Sequence, residues 1–351
     1  MVQVKKNLRI FWRDDNTLQI GFSPQAAVVL TGLSKHEQDL VSQLTHRHDA
    51  EQLKSWASRH GISQARLESI LRMLRLADVL DVDDSGSAHT AHTHARTGRT
   101  DATSSGAPHA RRTFSDSCIE FPHLDALAVA TILQLASVGI RSFALTDHTL
   151  VGSNDHPILA RAWHGIRRSA ALTTILRAMD PRFVFPSHGD IAVVTAPYTV
   201  NPRRTAPFIS HDIPHLIAST QETTVEVGPL IIPGTSPCAL CVSESRAQTA
   251  ESWLLLAAQA DLAADLAPVP SLVVLGSSAA AYIVSSFLES GKNLCPASSI
   301  ILEGDESQPY GFSVSAVALT QQPECPCTRL GSPHEDISPR DRTGDRINHK
   351  I

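Results

Sequence analysis

Four of the six cysteines fall in two close pairs, Cys238-x-x-Cys241 and Cys325-Pro326-Cys327. No other feature of the sequence constrains its folding as tightly. Each pair bends the backbone around a point, and four thiolates at Zn–S distances of about 2.3 Å complete a tetrahedron with no open position. Pro237, Pro323 and Pro326 stiffen both turns. Because 84 positions separate Cys241 from Cys325, a metal here would fasten the start of a segment to its end, as a clamp on a domain rather than a small finger. Cys238, Cys241, Cys325 and Cys327 are therefore expected to hold structural zinc. The plain alternative is four reduced cysteines without metal. Disulfides fit less well, since nothing in the sequence suggests export.

The opening residues, MVQVKKNLRIFWRDD, reach charge before any apolar run of signal-peptide length. No stretch approaches the ~18 uninterrupted apolar residues of a membrane span. A cytoplasmic protein with no membrane partner is expected. A net charge of −5 gives no global attraction for nucleic acid. With 42% hydrophobic residues over 351 positions, the chain can build two cored domains.

Residues 8–31 read as three short strands: LRIFW, a turn at Asp14-Asp15-Asn16, TLQIGF, a break at Ser23-Pro24, and AAVVLT. From Ser34 the period becomes helical. Ser34 and Glu37 have capping-box spacing, a second helix over 49–59 starts on Asp49 and stops before Gly61, and a third from Ser63 aligns Leu67, Ile70, Leu71 and Leu74. The result is a winged-helix-like β3α3 module over 1–82. Its third helix carries Arg66, Arg72 and Arg75, but Glu68 and Asp78 offset them and the dense basic face that phosphates require is missing. Nucleic acid is therefore not the expected partner. Strand addition suits the module better. An extended peptide would pair with the edge strand at Ala27, Val28, Val29 and Leu30 and lie against the third helix, with Arg66, Ile70 and Met73 as groove candidates.

Residues 83–112 contain no large apolar residue and read as part of a disordered linker over 83–113. Its histidines at 89, 92, 94 and 109 lack the fixed geometry a metal needs. An α/β domain follows over 114–328. A strand at 117–121, a helix at 124–138 and a strand at 141–147 ending in Asp147 form the first half of a dinucleotide-type unit. Further elements are a helix near 158–178, strands at 191–196, 216–219 and 225–232, a helix at 271–290, and two strands leading to Cys325. Residues 329–351 read as a solvated, disordered tail.

The block GPLIIPGTSPCALC (228–241), Ala257-Ala258-Gln259 and the closing QPECPC (322–327) together resemble the ThiF/MoeB-type adenylating enzymes. The branch is the one found in gene clusters for ribosomally made, post-translationally modified peptides. The N-terminal module resembles the PqqD-like leader-recognition element of the same pathways. The resemblance implies a Rossmann-like, ThiF-type α/β domain in which a G-x-G-x-x-G turn lets backbone amides approach ATP. Counted back from Gly139 and Asp147, the three glycine positions fall on His123, Asp125 and Ala128. A Cβ at each crowds the turn, and Asp125 sets a carboxylate where phosphates would lie. The position of the Mg²⁺-binding acid offers Thr195, Ala196 and Pro197. Only the ribose-binding acid has a counterpart, Asp147, which is equally the polar end of a strand. No Ser-His-Asp or Cys-His arrangement is evident. Neither Cys118, within a strand, nor Cys295, before Pro296, has the setting of a nucleophile.

The resemblance thus implies a recruiter without catalytic residues. It would bind the leader of a thiazole/oxazole-type bacteriocin precursor and deliver it to a YcaO-type cyclodehydratase, with structural zinc, without ATP or Mg²⁺, as a monomer or homodimer. Competing readings are an active ThiF-type adenylyltransferase with a remodelled phosphate loop, and a winged-helix DNA-binding regulator.

Overall fold

The computed structural model describes residues 1–24, 26–82, 117–262, 266, 268–305, 308 and 311–330. The expected linker with its four histidines, and residues 331–351 of the expected tail, lie outside the described residues, whereas Arg329 and Leu330 are helical.

The N-terminal module contains β1 (Val2–Val4), β2 (Ile10–Asp14), β3 (Thr17–Ile20), β4 (Val28–Leu30), α1 (Lys35–Gln43), α2 (Ala50–Arg59), α3 (Gln64–Leu76) and β5 (Leu80–Val82). The expected meander is present as the sheet β2-β3-β4. In addition, β1 and β5 pair antiparallel and bring the two ends of the module together. Side-chain caps start all three helices, from Ser34, Asp49 and Ser63. One face of the sheet, with Leu18, Ile20 and Leu30, packs in a single core with Leu40, Leu53, Leu67, Ile70 and Leu74. This corrects the expected groove. Ile70 is fully buried, because the helical period sets it beside Leu67 and Leu74 on the inward face. Arg66 is held by Glu37 in an ion pair, and Met73 alone of the three stands exposed.

The second module contains β6 (Cys118–Phe121), α4 (Ala126–Ser137), β7 (Ser142–Leu145), α5 (Pro157–Ala160), α6 (Arg168–Met179), β8 (Ile191–Pro197), α7 (Pro202–Ser210), β9 (His215–Thr220) and β10 (Thr224–Ile231). It continues through α8 (Ala239–Thr249), α9 (Trp253–Asp261), α10 (Pro270–Ser290), β11 (Ser298–Gly304), β12 (Phe312–Ala318) and α11 (Cys327–Leu330). The strand order is β12-β11-β10-β9-β8-β6-β7. Strands β7, β6, β8 and β9 run parallel, whereas β10, β11 and β12 are antiparallel. This is a mixed, Rossmann-like α/β fold. The helix expected over 158–178 is broken into α5 and α6, with Gly165 between them in the left-handed region at φ 77°.

Helix α10 is long and apolar enough to cross a membrane by length and composition alone. Its packing is that of a core helix. Leu272, Val273, Ala280, Ile283 and Val284 are buried, and a Cβ on Gly276 would collide with the Val225 side chain, so the helix lies directly on β10.

The two modules share a small aromatic core. Phe11 and Phe22 meet Tyr198, and Phe22 meets Trp253, with ring centroids 5.3–5.7 Å apart. Glu222, after β9, accepts from the Phe22 and Ser23 N–H groups at 2.6 and 3.0 Å. Burial pushes the Glu222 carboxyl above its usual range against the pull of these amides.

Candidate functional site

The strand order creates a switch point between β6 and β8. From β6 the chain crosses through α4 to β7 on one side, then returns through α5 and α6 to β8 on the other. Ligands of such sheets bind beyond the carboxyl ends of the strands at this point. A cavity of about 450 Å³ lies there, bordered by His123, Asp125 and Pro197.

The chain's own carboxylates occupy the amides of this crevice. Asp125 is the N-cap of α4, and its Oδ1 accepts from the Ala128 N–H at 2.9 Å. Asp147 accepts from the Leu124 N–H at 2.8 Å and from the N–H and hydroxyl of Thr149 at 2.8 and 2.6 Å. The Thr149 bonds go to Oδ1 and the Leu124 bond to Oδ2, and His123 Nδ1 and Arg168 Nη1 also stand 3.7 and 3.5 Å from Oδ2. Arg168 grips Asp155 with two bonds of 2.6 and 2.8 Å. Burial alone would raise Asp147, but hydrogen bonding from His123, Thr149 and Leu124 outweighs it and holds the carboxyl well below the usual range. Burial wins at Asp125, whose pKa lies above its ordinary value despite the Ala128 bond. Thr195, Ala196 and Pro197 put no carboxylate at the end of β8. A phosphate seeking the N-terminus of α4 would find the Ala128 N–H already taken and the Asp125 carboxylate beside it.

A second feature lies at the N-terminal sheet. Gly21 N–H donates to the Arg9 carbonyl at 2.7 Å, in the register that pairs Ile10 with Ile20. Residues 19 and 21 therefore bond toward β2, and Leu18 and Ile20 turn their main-chain groups toward β4. Their partners are Leu30 and Val28. Val29 consequently directs its N–H and C=O away from the sheet, at an open edge. The Ala27 N–H is spent on the Ser23 carbonyl at 2.9 Å. The same alternation turns Trp12 outward on the opposite edge, where Gln259 of α9 satisfies it. Gln259 Oε1 accepts from the Trp12 N–H at 2.9 Å and Nε2 donates to the Trp12 carbonyl at 2.8 Å. One edge is thus capped, and among the described residues nothing caps the other. The Val29 side chain, 41% exposed, borders a cavity of about 460 Å³ between the modules; Arg66, Ile70 and Met73 do not border it.

The four paired cysteines converge as expected. Their sulfurs lie within 4.8 Å of one another, with Cys241–Cys327, Cys238–Cys325 and Cys238–Cys241 separations of 3.5, 3.6 and 3.9 Å. A tetrahedron of thiolates around zinc has edges of about 3.8 Å. All four residues are buried. Cys238 is the N-cap residue of α8 and Cys327 opens α11. The Gln322 N–H points at Cys241 Sγ at 3.3 Å, and the Gln321 amide at Cys327 Sγ at 3.5 Å. Burial pushes the Cys238 thiol up to about 11 and raises Cys325 as well. Burial opposes ionisation at Cys327 too, but donation from Gln321 keeps that thiol below its ordinary value. Packing four thiolates together needs a central positive charge, so donor type, spacing and burial all fit a tetrahedral dication.

No protein-family model matches this sequence, and no curated protein matches it. Solved structures do. E. coli MccB is 12% identical with a TM-score of 0.49, the match covering 100% of this chain and 99% of that one. The E. coli MccB structure with ATP is 11% identical over 93% of this chain and 99% of that one, with a TM-score of 0.49. The heterocyclase TruD is 13% identical with a TM-score of 0.39, the match covering 93% of this chain and 42% of that one. The fold class rests on strand order and direction, not on these likenesses.

The structure brings His123, Asp125 and Asp147 to one crevice, with Ala128 contributing its N–H, and brings the four cysteines to one point. It separates the expected peptide residues: Ala27 and Val29 face the cavity, while Ile70 is core. Arg168 and Asp155, 13 residues apart, were not anticipated, and no motif marks them. Gln259 was noted only for its place in a short block, and its role as an edge cap emerges from the fold alone.

Proposed function

We propose that this chain is a leader-peptide-binding recruiter in the biosynthesis of a ribosomally made, thiazole/oxazole-type peptide. The leader adds to β4 as a fourth strand, and the bound precursor is delivered to a separate YcaO-type cyclodehydratase. The observation that carries this reading is the asymmetry of the N-terminal sheet, with Trp12 capped by Gln259 and Val29 open. In strand addition, main-chain hydrogen bonds supply affinity and alternate side chains supply selectivity.

No adenylation step is assigned to the second module. A polyphosphate at α4 would have to displace the Asp125 carboxylate from the Ala128 N–H or lie beside it, a like-charge contact in a poorly solvated crevice. The module instead supports the peptide-binding sheet through the Phe11–Phe22–Tyr198 core and Glu222. Cys238, Cys241, Cys325 and Cys327 hold zinc as a closed structural site, since four thiolates leave no position for a catalytic water.

A second reading, an active ThiF-type adenylyltransferase, draws on the 450 Å³ cavity at the switch point and on Asp147 beside it. Calorimetric titration separates the two. Micromolar binding of a synthetic leader with no heat from ATP-Mg²⁺ is expected. Micromolar ATP binding, or pyrophosphate exchange, would sink the recruiter in favour of the enzyme.

A further inference from the structure

Cross-strand neighbours in a sheet share a face, and successive residues alternate between faces. Val29 pairs with Gln19, and Gln19 pairs with Phe11. Phe11 belongs to the aromatic core shared with the second module, so this whole row looks away from α1–α3 and toward the Rossmann-like sheet. A peptide strand hydrogen-bonded to Val29 would inherit the alternation. The residue opposite Val29, and those two places before and after it, would enter the 460 Å³ cavity between the modules. The intervening residues would face the helical side.

The walls of this cavity are chemically uneven. Leu256, Ile301 and Val317 give apolar surface, and Trp253 adds an aromatic wall. Arg246 is already committed, ion-paired with Glu226 and lying over the Trp253 ring at 4.9 Å. Arg13 also borders the cavity and is differently placed. Its Nε donates to Ser252 Oγ at 3.0 Å, and among the described residues no carboxylate pairs with it. Asp14, next in sequence, feels the Arg13 charge, but arginine carries five N–H donors in a fork suited to a carboxylate, and among the described residues no acid lies within ion-pair distance of that fork.

Resting on the strand-addition reading, we infer that the peptide is read by both modules. The cavity selects an extended segment with an acidic residue, Asp or Glu, two residues from an apolar one. Arg13 takes the carboxylate, and Leu256, Ile301 and Val317 take the apolar side chain. Specificity then depends on the second module, which α3 alone would not require. The cavity volume lies within the ordinary range for ligand sites, ~300–1,000 Å³, and accommodates a few side chains rather than a single one.

Display selection of random dodecapeptides against the full-length chain tests this, with Arg13→Glu, Arg13→Lys and Val29→Pro variants checked for folding by circular dichroism. The expected wild-type consensus holds an acid at one fixed position, two residues from an apolar one. Arg13→Glu should weaken the selected acidic peptide at least tenfold and shift the consensus at that position to Lys or Arg, while Arg13→Lys retains the acid. Val29→Pro should abolish selection. Selection that Val29→Pro removes but Arg13→Glu leaves unchanged overturns this inference and spares the strand-addition reading. Failure of the wild-type chain to select any peptide overturns both.

Discussion

The Gln259 side chain and the Trp12 main chain form a two-bond amide pair, Oε1 accepting at 2.9 Å and Nε2 donating at 2.8 Å. A helix side chain stands where a neighbouring strand would stand. Gln259→Leu removes both bonds. Because the site is exposed, water replaces them in part, and the expected loss is about 1 kcal/mol. The uncapped β2 edge should also promote self-association. Calorimetric melting and light scattering against concentration check the two effects, and an unchanged scattering profile would show that the cap does not guard the edge.

Val29→Pro tests the open edge. Val29 N–H lies outside the internal ladder, so proline costs the sheet no hydrogen bond of its own but denies one to an added strand. A loss of at least tenfold in leader affinity is expected, about 1.4 kcal/mol. Val28→Pro is the contrast, because Val28 bonds to β3. That variant should lose module stability as well as binding, as read by circular dichroism during urea unfolding.

The sulfur site predicts one zinc per chain in wild-type protein by elemental analysis, and far less in Cys241→Ser. Metal binding in such sites is coupled to folding. The variant should melt earlier in the half built from β10, β11, β12 and α8 while far-UV signal from α1–α3 persists. Full metal retention by Cys241→Ser would exclude this residue as a ligand.

A pH-dependent contribution is expected from His215, fully buried at the start of β9. Its Nδ1 is 2.9 Å from the Ile213 carbonyl, and its ring faces Phe208. Burial pulls its pKa down to about 4 despite the Ile213 contact. The unfolded chain takes up this proton near pH 6.5 and the folded chain only near 4. The stabilisation is therefore complete above pH 6.5 and is lost as pH falls toward 4, by roughly 3 kcal/mol at most. His215→Phe should flatten that interval in urea-unfolding measurements between pH 4.5 and 7. An unchanged pH slope would mean the ring is not the group responsible.

Legibility followed the range of the interactions. The capping residues of α1, α2 and α3, the meander β2-β3-β4 and the unit β6-α4-β7 depend on neighbours in sequence, and local periodicity revealed them. The cysteine site was also legible despite its span, because short thiol spacings retain their chemistry wherever the chain leads. By contrast, β1 and β5 are three-residue strands that exist only because distant ends pair. Helices α7, α8 and α9 were not anticipated; α9 carries little segregation of apolar from polar residues. Ile70 was misjudged because its place in the α3 period suited both a core and a groove, and only the packed α1–α3 arrangement decides between them.

Cys241, the later of its pair, leaves the ribosome 84 residues ahead of Cys325, a lead of roughly 4 to 17 s at ~5–20 residues per second. Throughout that interval the nascent chain carries one half of a sulfur site and a β10 strand without β11. A chain that terminates before Cys325 never leaves this state. Truncated products would therefore keep two unpaired thiols and an unfastened sheet edge, which distinguishes them chemically from finished protein and exposes them to the proteases that remove incomplete chains.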